Sequence, residues 1–209
     1  MKTAFIILAS QKIQREILAH EHTLESLDRA IGDGDHYINM KRGAQTITEM
    51  AADLAPLQPD AVLNKIGLKL LSTIGGASGP LLASFFISMG KSLQNNNAST
   101  LNIAEAFAAG VLAIRQRGKA DLGEKTMLDV LIPVSNQFLL LTQQGRDTSH
   151  ICRSLIATAE LGMLATKDLI ASKGRAAGLG ERAIGHIDPG AKSCQLIITT
   201  VCNLILNDE

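Results

Sequence analysis

Aromatic residues are scarce in this chain. It has no tryptophan, one tyrosine and five phenylalanines in 209 residues. Nearly half the residues are nevertheless apolar, mostly Leu, Ile and Ala, so the core must be aliphatic. That composition suits helix packing rather than a sheet. An excess of charge is missing as well: 20 basic and 20 acidic residues cancel. The balance argues against a nucleic-acid face and against an anchor on acidic membranes. Cysteine is sparse, and Cys152, Cys194 and Cys202 form no CxxC pair. An odd number so spaced fits buried thiols in a reduced, cytoplasmic compartment. No apolar run reaches the ~18–20 residues of a membrane span. The opening MKTAFIILAS has a signal-like look. Its apolar run is short and polar QKIQRE follows at once, so it reads as the start of a first helix. Repeats, low-complexity tracts and linkers are also absent, and the length suits one domain over residues 1–209.

What is present is a series of helical patterns broken by glycine and proline. They run over about 3–21, from His36–Asn39 to about Asp53, over 60–74, from Pro80 to about Gln94, and over 102–117, 126–144 and 148–171. The last opens at 188-DPG-190, with Asp188 as N-cap and Pro189 as first helical residue. The tract 95-NNNAST-100 reads as an exposed turn, and 172–188 as a long loop. The β-prone 196-LIITTV-201 sits inside a longer apolar periodicity. The expected fold is all-α: an antiparallel up-and-down eight-helix barrel or bundle.

Four loops carry polar chemistry. In 28-DRAIGDGDHYINM-40, Asp28, Asp33 and Asp35 fall within eight residues, and Gly32 and Gly34 allow a tight fold. Hard divalent cations such as Mg²⁺ seek such carboxylates and keep company with phosphates. An acidic turn that caps the next helix explains the same three residues as well. In 75-GGASGP-80, backbone N–H groups around Ser78 can form an anion nest, or simply a tight turn between helices. In 118-GKADLGEKTMLD-129, Thr126 can cap and Met127 can line an apolar slot for a flat base. Taken alone this segment is as well explained by a solvated loop. The stretch 172-SKGRAAGLGERAIGHIDPG-190 is long for a structureless connection, and Arg175 is a candidate phosphate clamp. These loops follow alternate helices. In an up-and-down bundle they meet at one end, giving the inventory of a Mg–nucleotide site.

The four signatures LDRAIGDGDHYINM, TIGGASGPL, RGKADLGEKTMLDV and KGRAAGLGERAIGHIDPGAKS, in that order, resemble the nucleotide-binding L subunit of dihydroxyacetone kinases. The resemblance implies an eight-helix barrel that binds ADP and two Mg²⁺ at one end. Asp28, Asp33 and Asp35 would be the metal ligands. His36, Tyr37, Ile38 and Asn39 would lie beside the phosphates, with Ala77 and Ser78 from the glycine loop. Gly118, Thr126 and Met127 would flank the nucleotide, Arg175 would meet phosphate, and Asp188, Pro189 and Gly190 would complete the site. The family implies two partners. An M subunit would donate phosphate from its phosphohistidine to the retained ADP, and the resulting ATP would phosphorylate dihydroxyacetone held by a K subunit. The chain has no room for a fused K domain, which fits the stand-alone form, and a homodimer is compatible with it. No catalytic side chain is assigned. A nucleotide-state sensor that regulates a partner such as a transcription factor, and a lipid carrier using the barrel interior, are the competing readings. The intact aspartates and the polar loops favour the kinase subunit. Tyr37 stands where the family commonly has glycine and is expected to reshape the site's mouth. Glu124, Ala177 and Gly178 are further departures.

Overall fold

The computed structural model describes residues 2–94 and 99–207. Among these there are helices and turns and no strand. The helices are α1 (Thr3–Ala19), α2 (Glu21–Ile31), α3 (His36–Glu49), α4 (Ala51–Leu54), α5 (Pro59–Thr73), α6 (Ser78–Leu93), α7 (Thr100–Gly118), α8 (Leu128–Gln143), α9 (Thr148–Ala165) and α10 (Pro189–Asn207). Short 3-10 segments occupy Thr166–Asp168 and Arg175–Ala183. Several starts are capped as their sequences dictate. Ser99 accepts from Asn102 N at 3.2 Å and Asp147 from His150 N at 2.7 Å. Asp188 Oδ2 accepts from Ala191 N at 2.7 Å, with Pro189 as the first helical residue of α10.

Eight of the helices close a ring. α1 packs on α3, α3 on α5, then α6, α7, α8, α9 and α10 follow in order, and α10 returns to α1. This is the all-α barrel expected from the periodicity, with α2 and α4 as additions to it. Its interior is aliphatic, as the composition requires. One cluster joins α7 to α10 through residues such as Ile114, Val130, Leu155 and Ile198. A second joins α1, α5, α6 and α7 through Ile6, Val62, Ile66, Met89 and Ala106. The few aromatics are used as a bridge between neighbouring helices. Phe107 meets Phe85 and Phe138 edge to face, with ring centroids 5.5 and 6.4 Å apart.

The helix boundaries depart from expectation in several places. The first pattern, expected to end near 21, is followed directly by α2, so Asp28 is a helical residue and not part of a loop. His20 breaks the chain direction with φ −105° and ψ 19°. The second pattern is interrupted at Met50, and Pro59 opens α5 instead of merely ending what precedes it. α6 begins at Ser78 and keeps Pro80 in its first turn, whereas α8 begins at Leu128, after Thr126 and Met127. α9 ends at Ala165 and not near 171, and the 172–188 loop contains a 3-10 stretch. Of the expected 95–100 turn, residues 95–98 lie outside the described residues.

Candidate functional site

The ring brings alternate connections to one end. The α2–α3, α5–α6, α7–α8 and α9–α10 connections all contribute to a single cavity of about 630 Å³. That volume lies within the usual range for small-molecule sites, roughly 300–1,000 Å³. The first residues of α3, α6 and α8, and those of α10, line it, so four helix N-termini face the same space. Their dipoles favour an anion there.

The acidic wall is built around Asp28, which is buried. Its Oδ2 accepts from His36 N at 2.8 Å and so caps α3 from the preceding helix. Asp35, at the N-cap position, makes no such bond. Gly32 is a steric necessity here, because a Cβ would overlap Asp28 Oδ1. Gly34 turns the chain with φ +80°. Asp33 and Asp35 are exposed, and one carboxylate oxygen from each lies within 4.8 Å of the others and of one from Asp28. Arg175 Nε donates to Asp33 Oδ2 at 2.8 Å, closing the 3-10 segment over this wall. Both readings of the aspartates thus have a structural counterpart. Asp28 caps, while the cluster as a whole offers hard oxygen donors of the kind Mg²⁺ takes.

His36 Nε2 lies 3.0 Å from Ser193 Oγ, and Ser193 in turn donates to Gly190 O at 3.1 Å, tying α3 to the start of α10. Burial lowers the imidazole pKa against the pull of Asp28 and Asp35. Across the cavity, Leu81, Ile114, Ala120, Met127 and Leu128 form an apolar wall continuous with the barrel core. Asp129 holds the adjoining turn, accepting from Gly123 N at 2.6 Å and Thr126 N at 2.7 Å. Asp188 has its carboxyl pKa pushed up to about 7, chiefly by burial and further by Asp129, with Ala191 N and Lys125 opposing.

All the candidate residues line this cavity except Tyr37 and Ile38. Ile38 is exposed on α3. Tyr37 points into a cluster with Ile17, Leu24, Met40 and Leu196, away from the cavity, so it does not reshape the mouth as expected. Glu124 is accommodated by two contacts. It accepts from Asp121 N at 2.6 Å and from Ser172 Oγ at 2.9 Å, joining two of the site loops. Ala177 and Gly178 are exposed on the 3-10 segment. Lys125 and Arg117 also line the cavity and were not singled out as site residues from the sequence. Arg117 directly precedes Gly118 on α7, so its proximity to the site was readable.

A family profile described as the DAK2 domain matches residues 30–203. The chain belongs to the DAK2-domain family. Two members of known kind are similar over most of both chains. The Listeria innocua "PEP-dependent dihydroxyacetone kinase 1, ADP-binding subunit DhaL" is 39% identical over 85% of this chain and 84% of its own. The Escherichia coli K12 "PEP-dependent dihydroxyacetone kinase, ADP-binding subunit DhaL" is 39% identical over 84% of each. The native dihydroxyacetone kinase of C. freundii superposes with a TM-score of 0.75 at 26% identity. This DAK2-family chain is covered to 96% there and spans 34% of that longer kinase chain. The same fold is present in the C. freundii kinase solved with AMP-PNP and Mg²⁺, at 24% identity.

Proposed function

We propose that this chain is the ADP-binding L subunit of a phosphoenolpyruvate-dependent dihydroxyacetone kinase, working in the cytoplasm as one nucleotide-binding domain over residues 1–209. The observation that carries the reading is the meeting of three carboxylates, four helix N-termini and an apolar wall around one cavity. The names of the two 39%-identical relatives, each matched over 84% of its own length, support it.

In this reading Asp28, Asp33 and Asp35 hold two Mg²⁺, and their hard oxygens suit that ion. Backbone N–H groups at Tyr37–Ile38 and at Ala77–Ser78 would hold the phosphates of ADP, while His36 and Asn39, whose N–H groups bond Asp28 and Asp35, line the same stretch. Tyr37 and Ile38 contribute through the main chain alone. Arg175, now paired with Asp33, would turn to phosphate oxygens, which a guanidinium binds bidentately. Gly118, Thr126 and Met127, with the neighbouring apolar wall, would receive the flat base, and Asp188, Pro189 and Gly190, lying beside Met127, would complete the site. When bound, ADP carries the phosphoryl group and Mg²⁺ offsets the charge that moves with it. The protein's part is to bind, orient and keep water from the transferred group. An M subunit with a phosphohistidine is the donor, and a K subunit holds dihydroxyacetone or a related short ketose.

Reconstitution tests this. The chain is mixed with K and M subunits and the phosphotransferase enzymes, and phosphate is followed from phosphoenolpyruvate to dihydroxyacetone. Product should require this chain and the M subunit. Equal product with free ATP and no M subunit would contradict the retained-ADP role.

A further inference from the structure

The turn between α7 and α8 carries one cavity wall, and its conformation is held by Lys125, itself part of the lining. This is the one lysine among the described residues that is buried, with 1% of its surface exposed. It adopts φ 59°, a left-handed conformation rare for an L side chain. Its Nζ donates to Thr166 O, at the end of α9, and to His186 O at 2.6 Å, just before α10. Thr166 extends the link, because its Oγ1 accepts from Asp188 N at 3.0 Å. One ammonium therefore ties together the turn bearing Met127, the end of α9 and the start of α10. Asp188, Asp168 and Asp129 face it and favour its charge. Burial of the ammonium works the other way and lowers its pKa.

Two features make this more than a fold contact. The residues joined by the link, Met127 on the turn and Asp188–Gly190 at the start of α10, all line the cavity, and they lie against each other there: a Cβ on Gly190 would stand 3.5 Å from Met127 Cβ. Among the described residues no hydrogen bond joins Lys125 to the acidic cluster on α2 and its following loop, so the clip acts on one part of the site and not the other. We propose that Lys125 is the positioning residue that holds the base wall against the α10 N-terminus, and hence sets the affinity of this part of the site for the nucleotide. The inference rests on the nucleotide reading given above. Loss of the ammonium leaves two inward-facing carbonyls without their donor and lets the turn move, while the carboxylate cluster stays as it is.

Calorimetric titration of the full chain with ADP in Mg²⁺, and separately with Mn²⁺ alone, tests it. Lys125→Met should raise the ADP Kd roughly 10- to 100-fold and leave Mn²⁺ affinity within about 2-fold, with Lys125→Arg recovering most of the ADP affinity. A wild-type chain that does not bind ADP overturns the nucleotide reading itself. A wild-type chain that binds ADP, beside a Lys125→Met variant that binds it equally or loses Mn²⁺ in parallel, overturns the role of Lys125 alone. Should Lys125→Met not fold, the wild type decides. In ¹⁵N-lysine-labelled protein the slowly exchanging Lys125 ammonium signal should shift on adding Mg–ADP and not on adding Mg²⁺ alone. No shift with ADP overturns the proposal.

Discussion

Arg175 Nε donates to Asp33 Oδ2 at 2.8 Å, joining the 3-10 segment before α10 to the acidic turn before α3. Both side chains are substantially exposed, so the pair adds little to stability, at most about 1 kcal/mol. Its meaning is positional: in the proposed reading, the cation that would clamp phosphate already sits beside a carboxylate that would hold metal. Arg175→Ala should therefore leave the thermal midpoint nearly unchanged. Mn²⁺ affinity without nucleotide should be equal or higher, since a competing cation has gone from Asp33. ADP affinity should fall roughly 10-fold. Titrations with Mn²⁺ and with ADP would separate the two effects, and a parallel loss of both would contradict the assignment.

Gly32 allows the acidic turn to exist. A Cβ there would overlap Asp28 Oδ1 and crowd Asp28 O, so Gly32→Ala must push the Asp28 carboxylate aside. Gly34 has open space around it but a φ of +80°. Gly34→Ala should cost about 1–2 kcal/mol of local strain and leave the carboxylates where they are. Mn²⁺ titration should show a large loss of affinity for Gly32→Ala and a small one for Gly34→Ala. The reverse order would contradict this geometry.

Asp188 gives the protein without nucleotide a pH dependence of definite sign. Its folded-state pKa is about 7, against an ordinary carboxyl value near 4, so between these the folded state holds a proton the unfolded state has lost. The Asp188 contribution to stability therefore falls as pH rises through that window. Exposed Asp121 and Asp147, with lowered values, run the opposite way, so the whole-protein profile mixes the two. The clean readout is a difference. The midpoint of Asp188→Asn minus that of the wild type should rise between about pH 4 and pH 7. A flat difference would show that the carboxyl is not held up by burial.

Tyr37 is a core residue with an awkward hydroxyl. The Oη is buried with no hydrogen bond of full geometry, and burial, the pull of the Glu21 carboxylate on the hydroxyl and the charge of Glu25 raise the phenol pKa. Tyr37→Phe should be neutral or stabilising, since a buried polar atom without a full hydrogen bond is removed. Tyr37→Gly, which restores the residue common in the family, should destabilise by at least about 3–5 kcal/mol through the cavity it leaves. Chemical denaturation of both variants checks this. A stable Tyr37→Gly with altered ADP affinity would instead place the side chain at the site.

Much of this was legible in the sequence, and the exceptions have physical causes. The eight ring helices announce themselves because each buries one stripe, and glycine or proline marks most of their ends. The convergence of four loops follows from that alternation. α2 was hidden because neither glycine nor proline separates it from α1; the break at His20 is conformational. The orientation of Tyr37 was readable after all. Tyr37, Met40 and Ala44 are spaced by three and four residues, which puts them on one buried stripe of α3. Lys125 was not readable. Its burial depends on carbonyls 41 and 61 residues away, and local pattern carries no trace of such partners.

Anchoring of ADP by the carboxylate cluster through Mg²⁺ is read out by native mass spectrometry of the purified chain. With Mg²⁺ and ADP the chain should carry one ADP and two Mg²⁺. The adduct should disappear on chelation and be largely lost in Asp33→Asn, whose far-ultraviolet circular dichroism should match the wild type. ADP retained equally in chelator and in Asp33→Asn would contradict the account.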